Sequence, residues 1–229
     1  MTIVCEVAFA AAHTEAAAAP HQVSPHMARH WTQLPDLLTL DIYTPVANAV
    51  HDPYVHDGTA PVSLAMLAFA SLDALDRAVH HPAFAAGLSA IETAVFSCTA
   101  MRRSDHPTAG ETTAATLAAP FSYVVRYYRP AADETLFVRH YIETHPPLLG
   151  HLPAIRNVMC YVPLPWRGPA ALPSADYLVG NEVVFDHRDA FNAAMESPVR
   201  HELRAHYHTL PAYSGRNTHF AMRRTRLFG

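Results

Sequence analysis

Two residues stand where acid–base chemistry could be done, His145 and Glu182. His145 precedes Pro146, and a residue before proline is pushed away from helical backbone angles. The sequence therefore places it just past a helix end, on the loop entering the next strand, from where its ring could point into the mouth of a barrel. Apolar surroundings would keep that imidazole neutral and able to take a proton. The plainer alternative is a ring that pins its loop by a backbone hydrogen bond. Glu182 lies in the apolar stretch VGNEVVF, where alternation puts Gly180 and Val184 on its face. A carboxylate buried there needs a partner. His145 is the natural one, and the pair would orient an imidazole tautomer for proton transfer. The plainer alternative for Glu182 is an edge or surface carboxylate.

Groups that could hold a developing anion lie nearby in sequence. Tyr123, Arg126, Tyr127 and Tyr128 belong to FSYVVRYY (121–128), and Tyr161 to the strand after it. Aromatic residues in strands are more often core than ligand contacts. His140 and Tyr141 fall on the intervening helix, where packing or hydrogen bonding is the simpler role. Trp166, in a Pro-rich loop, is a candidate lid over the cavity or a staple. The chain has 17 His, which invites a metal reading. His26 and His30 are four apart, and His206 and His208 form H-x-H with His201 nearby. Yet His201-Glu202 continues as Leu203-Arg204-Ala205, so H-E-x-x-H is absent. No Cys joins a cluster, and helical residues two apart diverge. Scattered surface histidines, with no metal site, are the better reading.

The elements that must position these residues are legible in the second half. FSYVVRYY is β-branched and aromatic, a strand. Asp133 can cap a helix running to about Thr144, with Pro146 and Pro147 expected to stop it. Strands follow at 156–162 and 177–185. Asp186 opens a second helix, Ser197-Pro198 restarts it, and a last strand lies near 218–223. The order is βαββαβ, a ferredoxin-like unit. A weak internal repeat extends this plan to the first half. LPDLLTLDIYTP (34–45) matches LPAIRNVMCYVP (152–163) at an offset of 118. AFASLDALDRAVHHPAF (68–84) matches VFDHRDAFNAAMESPVR (184–200) at 116. At these offsets His145 corresponds to Met27 and Glu182 to Met66, while His26 lies one residue from the matched position. The expected organisation is a degenerate repeat over 1–103, a Thr/Ala/Pro-rich linker over 104–120, and a second repeat over 121–229. The fold class is α+β: two tandem ferredoxin-like units whose sheets curve around a cavity as an intrachain pseudo-dimeric α/β barrel.

Composition narrows the chemistry. Half of the 229 residues are hydrophobic and 16% are charged, enough for a sizeable core. Sixteen basic residues face 20 acidic ones without a basic block, which argues against a nucleic-acid partner. All sixteen are Arg. Without Lys there is no Schiff-base or pyridoxal chemistry and no Walker-type phosphate loop. The eight Gly permit no G-x-G-x-x-G, and no Ser stands in G-x-S-x-G. Cys5, Cys98 and Cys160 form no C-x-x-C and read as free thiols of a reducing compartment. No signal peptide or membrane span is read, so a cytoplasmic location is expected.

The second half also carries a family resemblance. FVRHYIETHPPLLGHLPAIRNVMCYVP (137–163) followed by YLVGNEVVFDHRDAFNAAMESP (177–198) resembles the EthD-like family of dimeric α/β-barrel proteins. The matching positions are His145-Pro146-Pro147-Leu148, Leu152-Pro153-Ala154, Glu182, Phe185-Asp186 and Ser197-Pro198. The resemblance implies the barrel fold and a tandem member. It implies function less sharply, since the superfamily includes cofactor-free cyclases and isomerases, dehydratases or decarboxylases of aromatic polyketides, quinol-type monooxygenases and haem proteins. The leading expectation is a lyase- or isomerase-type enzyme with no cofactor, acting on a small hydrophobic or aromatic substrate through His145 and Glu182. A haem protein and a non-catalytic carrier of a hydrophobic metabolite are the alternatives. A homodimer of the tandem chain is a further expectation.

Overall fold

The computed structural model describes residues 2–10, 20–46, 51–55, 63–89, 94–109, 119–169 and 172–229. For a few residues within these ranges, His26 among them, only the backbone is described. The first half contains β1 (Thr2–Ala10), α1 (Pro20–Trp31), β2 (Thr39–Pro45), β3 (Ser63–Phe69), α2 (Leu72–His80), α3 (Pro82–Ser89) and β4 (Ala94–His106). The second contains β5 (Phe121–Tyr128), α4 (Glu134–Leu149), β6 (Asn157–Pro163), β7 (Tyr177–Phe185), α5 (Arg188–Met195), α6 (Pro198–Tyr207) and β8 (Asn217–Phe228). Strand, helix, strand, strand, helix, helix, strand thus occurs twice.

The eight strands close into one antiparallel barrel in the order β1-β3-β2-β8-β5-β7-β6-β4. Two seams join the halves, β2 with β8 and β4 with β6. Closure leaves no unpaired edge among these strands. It also explains why β4 runs on to His106, into the stretch expected as a linker. Ser104, Asp105 and His106 pair with Cys160, Met159 and Val158 of β6. Residues 110–118 of that stretch lie outside the described residues.

Matched positions behave alike. Asp36 and Ala154, 118 apart, are the two non-Gly residues with positive φ among those described, at 57° and 58°. Each follows a Leu-Pro pair at the turn into β2 or β6, and each carries the strain of a left-handed L residue. The caps of α2 and α5 also coincide, Ser71 accepting from Ala74 N and His187 Nδ1 from Ala190 N. The start of α5 is therefore set by His187, one residue beyond the expected Asp186. Ser197 makes no side-chain cap bond to α6, and its hydroxyl donates instead to Ala194 O at 2.6 Å. Asp133 caps α4 as expected, accepting from Leu136 N at 2.8 Å.

Three cores result. One lies outside the barrel between the first-half strands and α1–α3. A second lies between the second-half strands and α4–α6. The third fills the barrel with Tyr43, Met66, Met101, Met159, Tyr161, Phe220 and Met222. The interior is thus packed with side chains, where an apolar ligand cavity was expected. No helix among the described residues is long and apolar enough to cross a membrane.

Candidate functional site

The helix carrying His145 does not stop at Pro146-Pro147 but continues to Leu149. The prolines withdraw donors from the carbonyls of Ile142 and Glu143, which belong to residues that solvent reaches. The turn is closed from downstream by Gly150 N donating to Pro146 O at 3.0 Å and His151 N to Leu148 O at 3.0 Å. Burial of His145, Pro146 and Leu149 opposes the pre-proline bias. His145 is therefore a helical residue, on the layer outside the barrel.

There the imidazole stacks on Tyr141, with ring centroids 4.7 Å apart. Its Nδ1 lies 3.0 Å from Nδ1 of His206 on α6. His206 in turn meets the half-buried His140 edge to face at 5.3 Å. The Nε2 of His206 is buried without a partner. Burial, then the positive charge of His206, Arg200 and His219, pushes the His145 pKa down to about 3. Burial lowers that of His206 as well, with His140 adding to the effect.

His145 lines a pocket between the outer face of β5, β7 and β8 and the helices α4–α6. The cavity volume is about 80 Å³, and the pocket opens at its mouth to solvent. Tyr123, Val125 and Tyr127 of β5 form one wall with Asn181 and Val183 of β7. Arg200, Leu203, Arg204 and Tyr207 come from one face of α6, at the spacing of helical neighbours. Asp52 and Tyr54 reach across from the first half. Arg200 clamps both oxygens of Asp52, with the shortest contact at 2.7 Å. Tyr54 OH lies 2.5 Å from His201 Nδ1. Arg204 sits over the rings of Tyr54 and Tyr207, at 5.4 and 5.3 Å.

Three positions of the pocket's helical layer differ from their matches in the first half. Trp31, Phe84 and Gly87 of the first half correspond to Leu149, Arg200 and Leu203 of the second. Trp31 stacks on Phe84 at 5.5 Å, and its Nε1 donates to Phe84 O at 3.0 Å. Gly87 makes room, since a Cβ there would run into the indole. That aromatic pair fills the space which Leu149 and Arg200 leave open.

Glu182 lies on the opposite face of the sheet. Alternation along β7 sends Asn181 and Val183 toward the helices and Glu182 into the barrel. Its carboxylate accepts from Ser122 at 2.6 Å, Tyr161 at 2.8 Å and Tyr43 at 3.4 Å. The expected His145–Glu182 pair therefore does not form, because the sheet separates them. Arg126 also turns inward. It binds Glu6 Oε2 through Nε and Nη2 at 3.0 and 2.6 Å, with Tyr177 donating to Glu6 Oε1 at 2.7 Å. Its chain crosses Gly180, where a Cβ would collide with it.

The residues singled out in the sequence thus divide. Tyr123 and Tyr127 join His145 at the pocket, and His140 stands behind His206. Arg126 and Tyr161 join Glu182 in the barrel. Tyr128 lies at a barrel end beneath Arg216, 3.7 Å from its ring centroid. Trp166 is a staple and not a lid here, donating to Asp76 of α2 at 2.6 Å and packing on the first-half core. The His26 side chain lies outside the described residues. Sequence reasoning missed Glu6, Asp52, Asn181, Arg200, Arg204 and His219. The spacing Arg200, Leu203, Arg204, Tyr207 was the available signal for a functional helix face. Among the described residues no group of three or more His, Cys, Asp or Glu could hold a metal ion.

A haem does not fit these residues. A flat macrocycle needs a slot between sheet and helices, yet Tyr123 meets Phe191 at 4.5 Å and Tyr127 meets Tyr141 at 5.3 Å. The rings of the two layers are already in contact.

Sequence comparison bears on the same half. Residues 129–209 match the EthD domain. The match spans α4, β6, β7, α5 and α6, and so carries His145, Asn181, Arg200 and Arg204. No curated protein matches the sequence. The whole chain is similar in fold to an anthrone oxidase-like protein, with a TM-score of 0.63 at 12% identity, covering 99% of this chain and 93% of that one. It is also similar to a proposed monooxygenase of Fusobacterium nucleatum subsp. nucleatum, with a TM-score of 0.60 at 8% identity and coverage of 98% and 92%. A chlorite dismutase variant of Candidatus Nitrospira defluvii gives 0.51 at 9%, covering 99% and 91%. At such identities the likeness is one of fold, that of the dimeric α/β barrels.

Proposed function

We propose that the second-half pocket is the active site of an enzyme that removes a proton from a small aromatic substrate, with His145 as the acid–base group. The observation that carries this reading is a buried, neutral imidazole whose Nδ1 is engaged by His206, in a pocket walled by Tyr123 and Tyr127. Among the described residues Nε2 of His145 makes no hydrogen bond, and it is the atom offered to substrate. Alone, a ring held at about 3 accepts a proton reluctantly. Passing the Nδ1 proton to His206 moves the new charge away from Arg200 and toward His140. Arg200 and Arg204 would stabilise the substrate anion left behind. Glu182, in the barrel, takes no part in this step, and no cofactor is invoked.

Loss of a proton is a first step common to isomerisation, cyclisation and oxygenation. The names of the fold neighbours, an anthrone oxidase-like protein and a monooxygenase, favour the branch in which the carbanion goes on to meet dioxygen. They do not favour the lyase or isomerase branch. In keeping with the doubled element order, we infer two tandem ferredoxin-like units, the second carrying the site.

The test is dioxygen uptake with anthrone as probe. Turnover by the wild type and a fall of about a hundredfold or more in H145Q, with the melting temperature kept, are expected. Full turnover in H145Q would overturn the assignment. Binding without turnover in the wild type would make the chain a carrier.

A further inference from the structure

We infer that the ligand of this pocket is a planar aromatic acid that also bears a hydroxyl. This rests on the reading of the pocket as a substrate site but not on the reaction assigned to it. The pocket holds two guanidinium groups and one carboxylate. Asp52 gives both oxygens to Arg200 and also receives Tyr123 OH at 3.4 Å. Arg204 has no carboxylate partner among the described residues; it lies over the rings of Tyr54 and Tyr207. Its forked N–H donors suit a carboxylate. Asn181 supplies the second observation. Its amide nitrogen donates to Tyr141 OH, while its Oδ1 is buried and has no partner. A buried acceptor without a donor is costly, and Asn181 lines the same pocket. A ligand hydroxyl would satisfy it. Between acid and hydroxyl, the Tyr123 and Tyr127 rings offer a surface for an aromatic body.

The test uses binding to the full chain by calorimetry, with three probes: a hydroxynaphthoate carrying its acid and hydroxyl on opposite rings, its methyl ester, and the naphthoate lacking the hydroxyl. In the wild type the hydroxy acid should bind about tenfold to a hundredfold more tightly than the ester, and more tightly than the naphthoate. R204Q should remove the preference for acid over ester, and N181L the preference for the hydroxyl. Comparison within the wild type needs no variant to fold. An ester bound as tightly as the acid, or no binding of any probe, would overturn the inference. A chain that binds in this pattern without any turnover retains the ligand class and loses only the reaction.

Discussion

The Nδ1 atoms of His145 and His206 lie 3.0 Å apart across the α4–α6 interface, so one must carry the proton that the other receives. Both rings are held neutral by burial, His145 most strongly. The consequence for stability has a definite sign. A histidine whose pKa falls on folding binds fewer protons than the unfolded chain. Stability is therefore full above the ordinary value of 6.5 and declines as pH falls toward 3. For His145 the slope approaches about 1.4 kcal/mol per pH unit inside that window. Urea titrations across it should show a shallower decline in H145Q than in the wild type. An equal decline would place the loss elsewhere.

Arg200 links that imidazole to the first half. Replacing it by Met removes one of the charges that lower the His145 pKa, so the histidine should titrate at higher pH in an NMR titration. Removing Asp52 instead leaves Arg200 unpaired at a largely buried position, 12% exposed. D52A should lose about 3 kcal/mol in urea unfolding, and D52A/R200M should recover part of it. A D52A protein as stable as the wild type would show that the pair contributes nothing.

These dependences show what local sequence can convey. The strand at 121–128, the Asp133 cap and the 118-residue offset at the Leu-Pro turns were readable because each is fixed by neighbouring residues. The face of Glu182 was also readable, from the small and apolar groups that alternate with it. The partner assigned to it was not. Pairing Glu182 with His145 required knowing on which side of the sheet α4 packs, and a helix outside the barrel cannot reach its interior. The Pro146-Pro147 stop failed because tertiary burial outweighed a local bias. Asp52 with Arg200, and Glu6 with Arg126, are 148 and 120 residues apart, and only the tertiary fold brings them together.

The Glu6–Arg126 pair carries its own expectation. Both side chains are 1% exposed, and Arg126 also donates to the carbonyls of Val125 and Asn181. Truncating one partner leaves a buried charge, so E6Q should lose about 3–5 kcal/mol in urea unfolding. The double variant E6L/R126M should regain most of it. Because the pair lies inside the barrel, a folded double variant should keep its binding at the outer pocket. Loss of that binding would mean that the barrel interior shapes the site.

The asymmetry between the halves makes the most direct prediction. If Trp31, Phe84 and Gly87 close the first-half layer, their transplantation should close the second. L149W/R200F/L203G recreates the stacked indole and the gap beneath it, and D52A must accompany it, since Arg200 is gone and the carboxylate would lose its cation. The resulting protein should fold and should no longer bind the hydroxynaphthoate. The reciprocal change, W31A, removes the packed indole and should cost about 3–5 kcal/mol, because the cavity left behind is lined by Phe9, Met27 and Phe84 with no group to bind a polar ligand. Chemical denaturation and calorimetry read both outcomes. Retention of binding in the filled variant would move the site away from His145 altogether.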